Sequence, residues 1–467
     1  MGFVLSIFYF IVSYLTPAAI FGPLAQYRIE LILAVLILLV SLPKVIGSVI
    51  LKTPQSLALI GLAIAAFFSV LVGQHWAGGG VGAFLGFIPS IYFYFLACLH
   101  CTTRKRLQVL VLMLLFVCLF VTAHGVFDLL HNAHEGDPSF SGETGNLDVG
   151  LWNSEHPYVY AMASDSGELF YRLRGLGMIN DPNDFGQLIV CVVPLMFLFW
   201  RPNKMAWNIP FVILPVCVLV TSVFLTHSRG ALLALTAEAS VAARRRIGVM
   251  PAALLACILF AAAMALHFTG GRDISASAGE DRTGLWGEGL AVFRAHPLFG
   301  IGYGELGNYT ESHLTAHNSV VLCAAELGLF GLYFWSLFLF PTVKDALVIG
   351  SAKSVNQGEP LEPEEPPFPH PVLEIEQLEK AEINRAGNLL LISLVGFFVT
   401  AWFLSRAFAI TLFLLGGMTE AVYQMVQQRG MIAPRLPFVR VLTYSAGLAG
   451  GLLIVVYTMV RVANFMR

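Results

Sequence analysis

A histidine and several arginines stand where apolar segments of this chain begin or end. His317 is followed by Asn318 and a long apolar run, and Arg229 lies in the short sequence His-Ser-Arg-Gly between two apolar runs. An imidazole titrates near neutral pH and can accept a proton from a hydroxyl group. A guanidinium keeps its charge and binds phosphate through two parallel hydrogen bonds. These residue types together favour a general base placed beside cations that hold a phosphate-bearing ligand.

The segment 172–186, RLRGLGMINDPNDFG, carries a second group of candidates. The sequence Asp-Pro-Asn is a turn signal, and either Asp181 or Asn183 can cap a helix that begins near Asp184. A helix N-terminus also attracts anions. The alternative is a plain capped loop without a ligand. We expect Arg174 to contact a ligand if this loop folds over the mouth of the site.

Arg282 leads a third segment, residues 281–309, in which the apolar positions Trp286, Leu290 and Phe293 recur at helical spacing. The sequence HPLFGIGYG follows. Its glycines resemble a nucleotide-binding loop only superficially, because no strand precedes them. We expect these glycines to permit a tight loop against the membrane.

His317 lies on one stripe of the helix that follows it. Ala324 and Gly328 form a small-xxx-small pattern there, which lets a neighbouring helix approach closely. We therefore expect His317 at the mouth of a tightly packed helix pair at the membrane surface. The alternative role for His317 is a local helix cap. At about 100° per residue, the positions in line with His317 are Val321, Ala324, Gly328 and Gly331.

The composition indicates a membrane protein. Of the 467 residues, 57% are hydrophobic and 12% are charged, and the mean hydropathy is +0.75. A soluble protein carries about 25% charged residues. The expected fold is an all-α integral membrane bundle of about 12–13 transmembrane helices in the lipid bilayer. Nucleic acid is not an expected partner. The candidate spans are roughly 3–21, 30–50, 55–73, 81–101, 107–128, 184–200, 207–226, 230–243, 249–269, 318–342, 387–404, 407–425 and 441–460.

The distribution of Lys and Arg orients the chain, which we treat as one polytopic membrane domain over residues 1–467. Two long loops, 129–183 and 270–317, are predicted to be extracytoplasmic. The acidic, Pro-rich loop 343–385 is predicted to be a cytoplasmic spacer. The basic loops, which are predicted to be cytoplasmic together with the N-terminus, lie at 44–52, 104–106, 201–204, 244–246 and 344–353.

Several arginines fall on the predicted outer face, where the positive-inside bias disfavours them. Arg272 and Arg294 fit ordinary surface arginines. Arg229 differs, because its very short connection holds it at the bilayer interface, where a guanidinium suits a lipid diphosphate. The whole set is Arg172, Arg174, Arg229, Arg272, Arg282, Arg294 and Arg406.

Two of these elements resemble motifs of the bacterial O-antigen ligase and polymerase family. His317 and Asn318, followed after nine residues by Gly328-x-x-Gly331, match the pattern H[NSQ]-x9-G-x-x-[GTY]. Arg229 begins a match to the pattern R-x3-L. The first motif is fairly specific and the second is weak alone, but their order along the chain is a strong signal.

Two longer segments are similar to the wider family. The sequence R-x-x-G…DPN lies at 174–183, and R…W…HPL-x-G-x-G lies at 282–302. The resemblance covers roughly residues 170–342. The loop 129–183 is longer than the family pattern leads us to expect, which leaves the acceptor open.

The resemblance implies a GT-C-like glycosyltransferase of the bacterial inner (cytoplasmic) membrane, with its active site on the periplasmic side. The donor would be a glycan on undecaprenyl diphosphate, and neither a metal nor another cofactor is implied. His317 would be the general base on the acceptor hydroxyl, while Arg229 and Arg282 would hold the diphosphate and stabilise it as it leaves. The substrate-binding candidates are Arg174, Asp181, Asn183 and Asn318.

The resemblance leaves three acceptors open: a lipid A–core sugar in a ligase, another lipid-linked glycan in a polymerase, or a protein hydroxyl. A different class is a transporter or flippase, which would place charged residues along a path through the membrane. The acidic residues within spans are scattered, so we favour the transferase over the transporter. Among the acceptors, the resemblance to the ligases favours lipid A–core. These acidic residues are Glu238, Glu326 and Glu420.

Overall fold

The structure is a computed structural model. It describes residues 1–46, 50–131, 151–152, 157–163, 169–265, 276–311, 313–351, 371–432 and 434–465.

Helices dominate these residues. The first nine are α1 (Gly2–Leu15), α2 (Pro17–Ile20), α3 (Gly22–Ala25), α4 (Ile29–Ile46), α5 (Pro54–Gly73), α6 (Ala77–His100), α7 (Arg104–His131), α8 (Pro182–Leu195) and α9 (Met205–Asn208). The next nine are α10 (Leu214–Leu225), α11 (Arg229–Ile247), α12 (Val249–Ala265), α13 (Ala276–Ala295), α14 (Leu306–Tyr309), α15 (Ser319–Gly350), α16 (Pro371–Ala401), α17 (Ile410–Gln428) and α18 (Phe438–Phe465).

Within the described ranges, ten helical segments are long and apolar enough to cross a membrane. Helices α11, α12 and α17 coincide with the three predicted spans that this criterion leaves out. Each predicted span therefore corresponds to a helix or to consecutive helices. The prediction of an all-α polytopic membrane fold is confirmed.

Among the described helices, α5, α8, α11 and α15 each begin at a capping side chain. Thr53 caps α5, Asp181 caps α8 and Ser228 caps α11, in each case by accepting a hydrogen bond from a backbone N–H of the first turn. Asn318 does the same for α15. These side chains satisfy N–H groups that have no partner inside the helix.

A three-stranded antiparallel sheet stands in the predicted outer loop 129–183. Its strands are β1 (Leu151–Trp152), β2 (Val159–Ala163) and β3 (Leu169–Leu173). The sheet packs on α7 at Gly125, where a Cβ would lie 2.6 Å from Leu173 Cδ2. The sequence predicted a polar loop here, without strands. The sheet fixes the position of the chain just before Arg174.

Helix α15 is broken at Gly328, where φ is 66° and ψ is −166°. The Gly-rich loop after α13 pairs with this break: Leu329 N–H donates to the Pro297 carbonyl at 2.8 Å, and Gly302 N–H donates to the Glu326 carbonyl at 3.2 Å. The loop thus satisfies backbone groups that the break removes from the helix ladder.

The expectation of one continuous small-residue stripe against a neighbouring helix is therefore wrong. What approaches Gly328 is loop backbone, because a Cβ there would lie 2.4 Å from the Leu298 carbonyl carbon. The close helix contact lies earlier, where a Cβ on Gly289 of α13 would lie 2.4 Å from Val321 Cγ1.

Basic residues from loops predicted to be cytoplasmic make their contacts at the ends of the helices remote from His317. Arg104 forms an ion pair with Glu382, and Arg385 donates to the Trp200 carbonyl at 2.9 Å. The connection predicted at 343–385 is shorter in the structure, since α15 extends to Gly350 and α16 begins at Pro371. Its Pro-rich sequence EPLEPEEPPFPHP lies outside the described residues, apart from the final Pro371.

A buried charge cluster joins the same region. Arg435, which precedes α18, donates to Asp345 Oδ2 of α15 at 2.7 Å and also pairs with Glu420 of α17. Gln55 of α5 donates to Asp345 Oδ2 at 2.8 Å. Three helices and the turn before a fourth are thereby tied together.

Candidate functional site

Several helices have their first turns at one end of the bundle. Helix α8 packs on the first turn of α11, since a Cβ on Gly186 would lie 2.9 Å from Ala231 Cβ. Ser319 Oγ donates to the Leu404 carbonyl at 2.8 Å and so joins the start of α15 to the turn before α17. This end therefore brings together segments that carry the predicted site residues.

His317 occupies the left-handed region of the backbone, with φ of 46°, one residue before the cap of α15. Its N–H donates to Ser405 Oγ at 2.9 Å, and its side chain is half-buried. The alternative that His317 merely caps the helix is wrong, because the Asn318 side chain performs that role.

Asn318 is fully buried, and both ends of its amide have partners within the protein. Its Oδ1 accepts hydrogen bonds from Val320 N–H at 2.9 Å and Val321 N–H at 3.1 Å. Its Nδ2 donates to the Trp402 carbonyl at 3.0 Å. The Asn318 side chain thus fixes the start of α15 next to His317, and it has no exposed surface.

The pKa of His317 is lowered from its usual value near 6.5. Burial is the main cause, and the positive charge of Arg282 adds to it, while the carboxylate of Asp181 acts in the opposite direction. Burial and a nearby cation both disfavour an imidazolium. His317 is consequently neutral, and able to accept a proton, at neutral pH.

Asp181 links the candidate residues electrostatically. Its side chain accepts a 2.7 Å hydrogen bond from Asn183 N–H, which confirms the predicted helix cap. Its charge also raises the pKa values of Arg174 and Arg406, both of which burial lowers. Together with its effect on His317, this places three basic groups within electrostatic reach of one carboxylate.

The two arginines of strand β3 and its end have different environments. Arg172 is buried and donates from Nε to the Thr226 carbonyl at 2.8 Å and from Nη2 to Asn183 Oδ1 at 3.1 Å. It therefore holds the sheet against the turn before α11. These contacts explain the presence of one arginine on the predicted outer face. Arg174 is half-buried, and its Nε donates to the Gly175 carbonyl at 3.2 Å.

Phe403 lies beside Arg282 and near the first turn of α11, which Arg229 begins. The Arg282 guanidinium carbon is 5.8 Å from the centre of the Phe403 ring. Arg229 is the first residue of α11, and a Cβ on the adjacent Gly230 would lie 3.9 Å from Phe403 Cβ. The turn between α16 and α17 thus contacts the segments that carry both arginines. The segment after Arg282 lies within α13, where Trp286 and Leu290 are buried.

Three further residues lie at this end of the bundle that the sequence motifs did not indicate: Ser405, Arg406 and Asp184. Arg406 forms a two-pronged ion pair with Asp184, and its N–H donates to Ser319 Oγ at 3.0 Å. The signal available in the sequence was the position of Arg406 on the predicted outer face. Its partner lies 222 positions away, so sequence spacing could not identify the pair.

Two observations concern what the site could hold. In the described part of the chain, no group of three or more His, Cys, Asp or Glu residues is placed to hold a metal ion. An apolar groove of about 430 Å³ begins at Ser319 and Trp402 and runs along α15 towards Lys344. Helices α16 and α18 form its other walls. One end of the groove is therefore at Ser319, close to His317 in the chain, and the groove extends from there along α15.

The comparisons with known proteins agree with the motifs. A family model described as O-antigen ligase matches residues 185–336, about a third of the chain. The matched region includes Arg229, Arg282 and His317, whereas Arg174 and Asp181 precede it. A comparison with curated proteins finds no match.

Proposed function

We propose that this chain, of which residues 185–336 match the O-antigen ligase family model, is a membrane glycosyltransferase that moves a glycan from undecaprenyl diphosphate to an acceptor hydroxyl. The single observation that carries this proposal is His317, whose neutral imidazole stands within electrostatic reach of Arg282 and Asp181 at one end of the bundle. A neutral imidazole can accept a proton, and an adjacent cation can stabilise an anionic leaving group.

In the proposed reaction, His317 takes the proton of the acceptor hydroxyl. The acceptor oxygen then forms a bond to C1 of the donor sugar, while the bond between C1 and the diphosphate oxygen breaks. The electron pair of that bond leaves with the diphosphate, whose charge Arg229 and Arg282 stabilise, with assistance from Arg174. The imidazolium finally loses its proton to water.

The apolar groove supports a lipid-linked donor. Its walls at Trp335, Leu339 and Phe398 are apolar, and Ser319 of the first turn after His317 lines one end. In the proposal, a long isoprenoid chain lies in this groove with its diphosphate at the Ser319 end, towards His317. Apolar contact along the groove would contribute roughly 25 cal/mol per Å² of buried surface.

The remaining candidates would act mainly by positioning. Asn318 fixes the start of α15, Asp181 caps α8, and Asn183 holds Arg172. Contact of Asp181 or Asn183 with a substrate remains part of the proposal, since both lie at a helix N-terminus close to Arg174.

We propose that the reaction needs no metal or other cofactor, because the arginines can supply the positive charge that a metal would bring to the leaving diphosphate. We also propose that the site faces the extracytoplasmic side of a bacterial inner membrane. The Lys- and Arg-rich loops lie at the other ends of the helices, and the positive-inside bias places those loops in the cytoplasm. This supports the assignment.

Lipid A–core is the acceptor that we favour, and a second lipid-linked glycan or a protein hydroxyl are the other candidates. Reconstitution tests the function: the purified chain in liposomes receives a lipid-linked glycan and each acceptor in turn, with and without a chelator. We expect transfer to lipid A–core that the chelator does not change. Absence of transfer to all three acceptors would remove the glycosyltransferase proposal.

A further inference from the structure

A small cavity of about 140 Å³ lies at the end of the bundle remote from His317, and helices α7, α16 and α17 form most of its wall. Its volume is close to that of a protein cavity of about 150 Å³ that admits benzene. Nucleotides and other ligands of drug size occupy sites of about 300–1,000 Å³. The cavity therefore fits one compact chemical group and is too small for a whole nucleotide or sugar nucleotide.

Three arginines and one glutamate line this cavity. Arg104 forms an ion pair with Glu382, and Arg385 Nη2 lies 3.9 Å from Oε1 of the same carboxylate. Arg429, the residue after α17, is exposed and supplies the third guanidinium. Among the described residues that line the cavity, one negative charge thus faces three positive charges. Guanidinium groups form paired hydrogen bonds with phosphate oxygens, so this excess favours a ligand that bears a phosphate.

The position of Arg104 at the start of α7 supports an anionic ligand. A helix N-terminus carries a partial positive charge, so the three basic residues at 104–106 are unfavourable there unless negative charge is close. Arg106 bonds within the protein, since its Nη1 donates to the His100 carbonyl at 3.0 Å. Arg104 instead extends to Glu382 of α16, which brings its positive charge to the cavity.

Apolar side chains complete the wall and connect the cavity with the lipid-facing surface of α7. Leu107 and Val426, which line the cavity, are buried. Gln108 lines it as well, and Leu112, one helical turn further along α7, is 47% exposed. Inorganic phosphate gains nothing from apolar surroundings, whereas a phospholipid places its glycerol and acyl chains against them. The combination of arginines and apolar surface therefore favours the phosphate of a membrane lipid.

We propose that this cavity binds the phosphate head group of an anionic phospholipid, whose acyl chains lie along α7. The basic loop that contributes Arg104 is predicted to be cytoplasmic, and anionic lipids give the cytoplasmic leaflet a negative surface potential. Basic pockets between transmembrane helices on this side are typical sites for such head groups. The inference does not depend on the glycosyltransferase reaction, because His317 contacts the turn at the opposite ends of α16 and α17.

Native mass spectrometry of the full chain in a neutral detergent measures this binding, as the lipid retained during a titration with phosphatidylglycerol. Phosphatidylcholine with the same acyl chains is the control lipid. Arg429→Gln removes one cation from the lining, and Glu382→Gln removes the carboxylate that competes for the arginines. Lys105→Gln is the matched control, since Lys105 is exposed, carries the same charge as Arg429 and lies outside the lining of the cavity. Thermal unfolding without lipid verifies that each variant is folded.

We expect phosphatidylglycerol to bind more tightly than phosphatidylcholine, and to raise the melting temperature because it binds the folded chain. Arg429→Gln should weaken its binding about fivefold or more, as for the loss of one basic residue beside an anionic lipid. Glu382→Gln should strengthen the binding, and Lys105→Gln should leave it unchanged. Equal losses in Arg429→Gln and Lys105→Gln would show a response to general surface charge and overturn the assignment to this cavity. Equal binding of the two lipids would overturn the requirement for an anionic head group.

A second arm distinguishes the lipid from a free anion. Inorganic phosphate at millimolar concentration replaces the lipid, and we expect it to leave the melting temperature of the unmodified chain unchanged. A rise equal to that with phosphatidylglycerol, lost in Arg429→Gln, would assign the cavity to a soluble anion and overturn the lipid proposal. Neither arm uses glycan transfer, so the outcome is independent of whether the chain is a glycosyltransferase.

Discussion

The N–H of His317 donates a 2.9 Å hydrogen bond to Ser405 Oγ, although 88 positions separate the two residues in the chain. Two neighbouring bonds strengthen the junction, because Ser319 Oγ donates to the Leu404 carbonyl and accepts from Arg406 N–H. The backbone position of His317 is therefore fixed by the turn between α16 and α17. That turn lies beyond the region that the family model matches.

Replacement of His317 by Asn tests its role as the base. Asn tolerates the left-handed conformation that His317 adopts at φ of 46°, so the backbone should be retained. The imidazole is lost, and we expect turnover to fall by about 10²–10⁴-fold. Glycan transfer and donor binding should be measured at equal protein level, and donor binding should persist because the arginines remain. Near-normal transfer in this variant would mean that His317 has only a backbone role.

The activity of the unmodified chain should fall at acid pH, as His317 becomes protonated. Since the pKa of His317 is lowered, this fall should lie below the usual value near 6.5. Asp181→Asn should move the fall to still lower pH, because it removes a carboxylate that raises the His317 pKa. Asn also caps helices well, so α8 should be preserved.

Arg282→Gln should move the acid-side fall in activity to higher pH, since it removes a cation that lowers the His317 pKa. Transfer rates between pH 4 and pH 9 for both variants provide the measurement. Shifts in the same direction for both variants, or no shift in either, would contradict the placement of both charges around His317.

Arg229→Lys should reduce transfer although the charge is retained. An ammonium group cannot reproduce the two parallel hydrogen bonds of a guanidinium with a phosphate. Loss of one charged hydrogen bond corresponds to about 1.5–3 kcal/mol, or roughly a 10- to 100-fold loss. Arg294→Lys is the matched control, because Arg294 is exposed at the end of α13. Equal activity in the two variants would exclude Arg229 from the diphosphate site.

The side of the membrane can be tested with single cysteines, after the native cysteines have been replaced. Leu314 is a suitable position near His317, since half of its surface is exposed, whereas Ser228 is buried and unsuitable. We expect Leu314→Cys to react with an impermeant reagent from the extracytoplasmic side and Lys204→Cys from the cytoplasmic side. Labelling of Leu314→Cys from the cytoplasm alone would reverse the orientation of the site.

Local features of the sequence predicted much of this fold. Apolar runs located the helices, and the turn at Asp181 identified the start of α8, because both depend on residues close together in the chain. The partners of His317 and Asp184 could not be predicted in this way. Ser405 and Arg406 lie in a turn far along the chain, and only tertiary packing brings them to the site.

The break in α15 escaped prediction for a related reason. The sequence around Gly328 has helical periodicity, and the HPLFGIG loop offers no sign of its partner. The loop and the break form one unit, since each supplies hydrogen-bonding groups that the other needs. Two motifs that look separate in the sequence are thus a single structural element.

Gly328→Ala tests this unit directly. With φ of 66° and ψ of −166°, Gly328 adopts a conformation that is essentially restricted to glycine, and a Cβ would collide with the Leu298 carbonyl. We expect a loss of about 1–3 kcal/mol in stability from backbone strain alone, and a lower melting temperature in detergent. Gly450→Ala is the control, since nothing lies within 4 Å of its Cβ position in α18. It should be neutral or slightly stabilising, because Ala favours a helix.

The same variant should lower transfer, because displacement of the 297–302 loop disturbs the packing of α13 against α15 near His317. Turnover per folded molecule, compared with that of Gly450→Ala, separates this effect from the loss of stability. If Gly328→Ala melts and transfers like the Gly450→Ala control, α15 must be able to continue through residue 328 as a regular helix. The paired loop and break would then not be the element that holds the site.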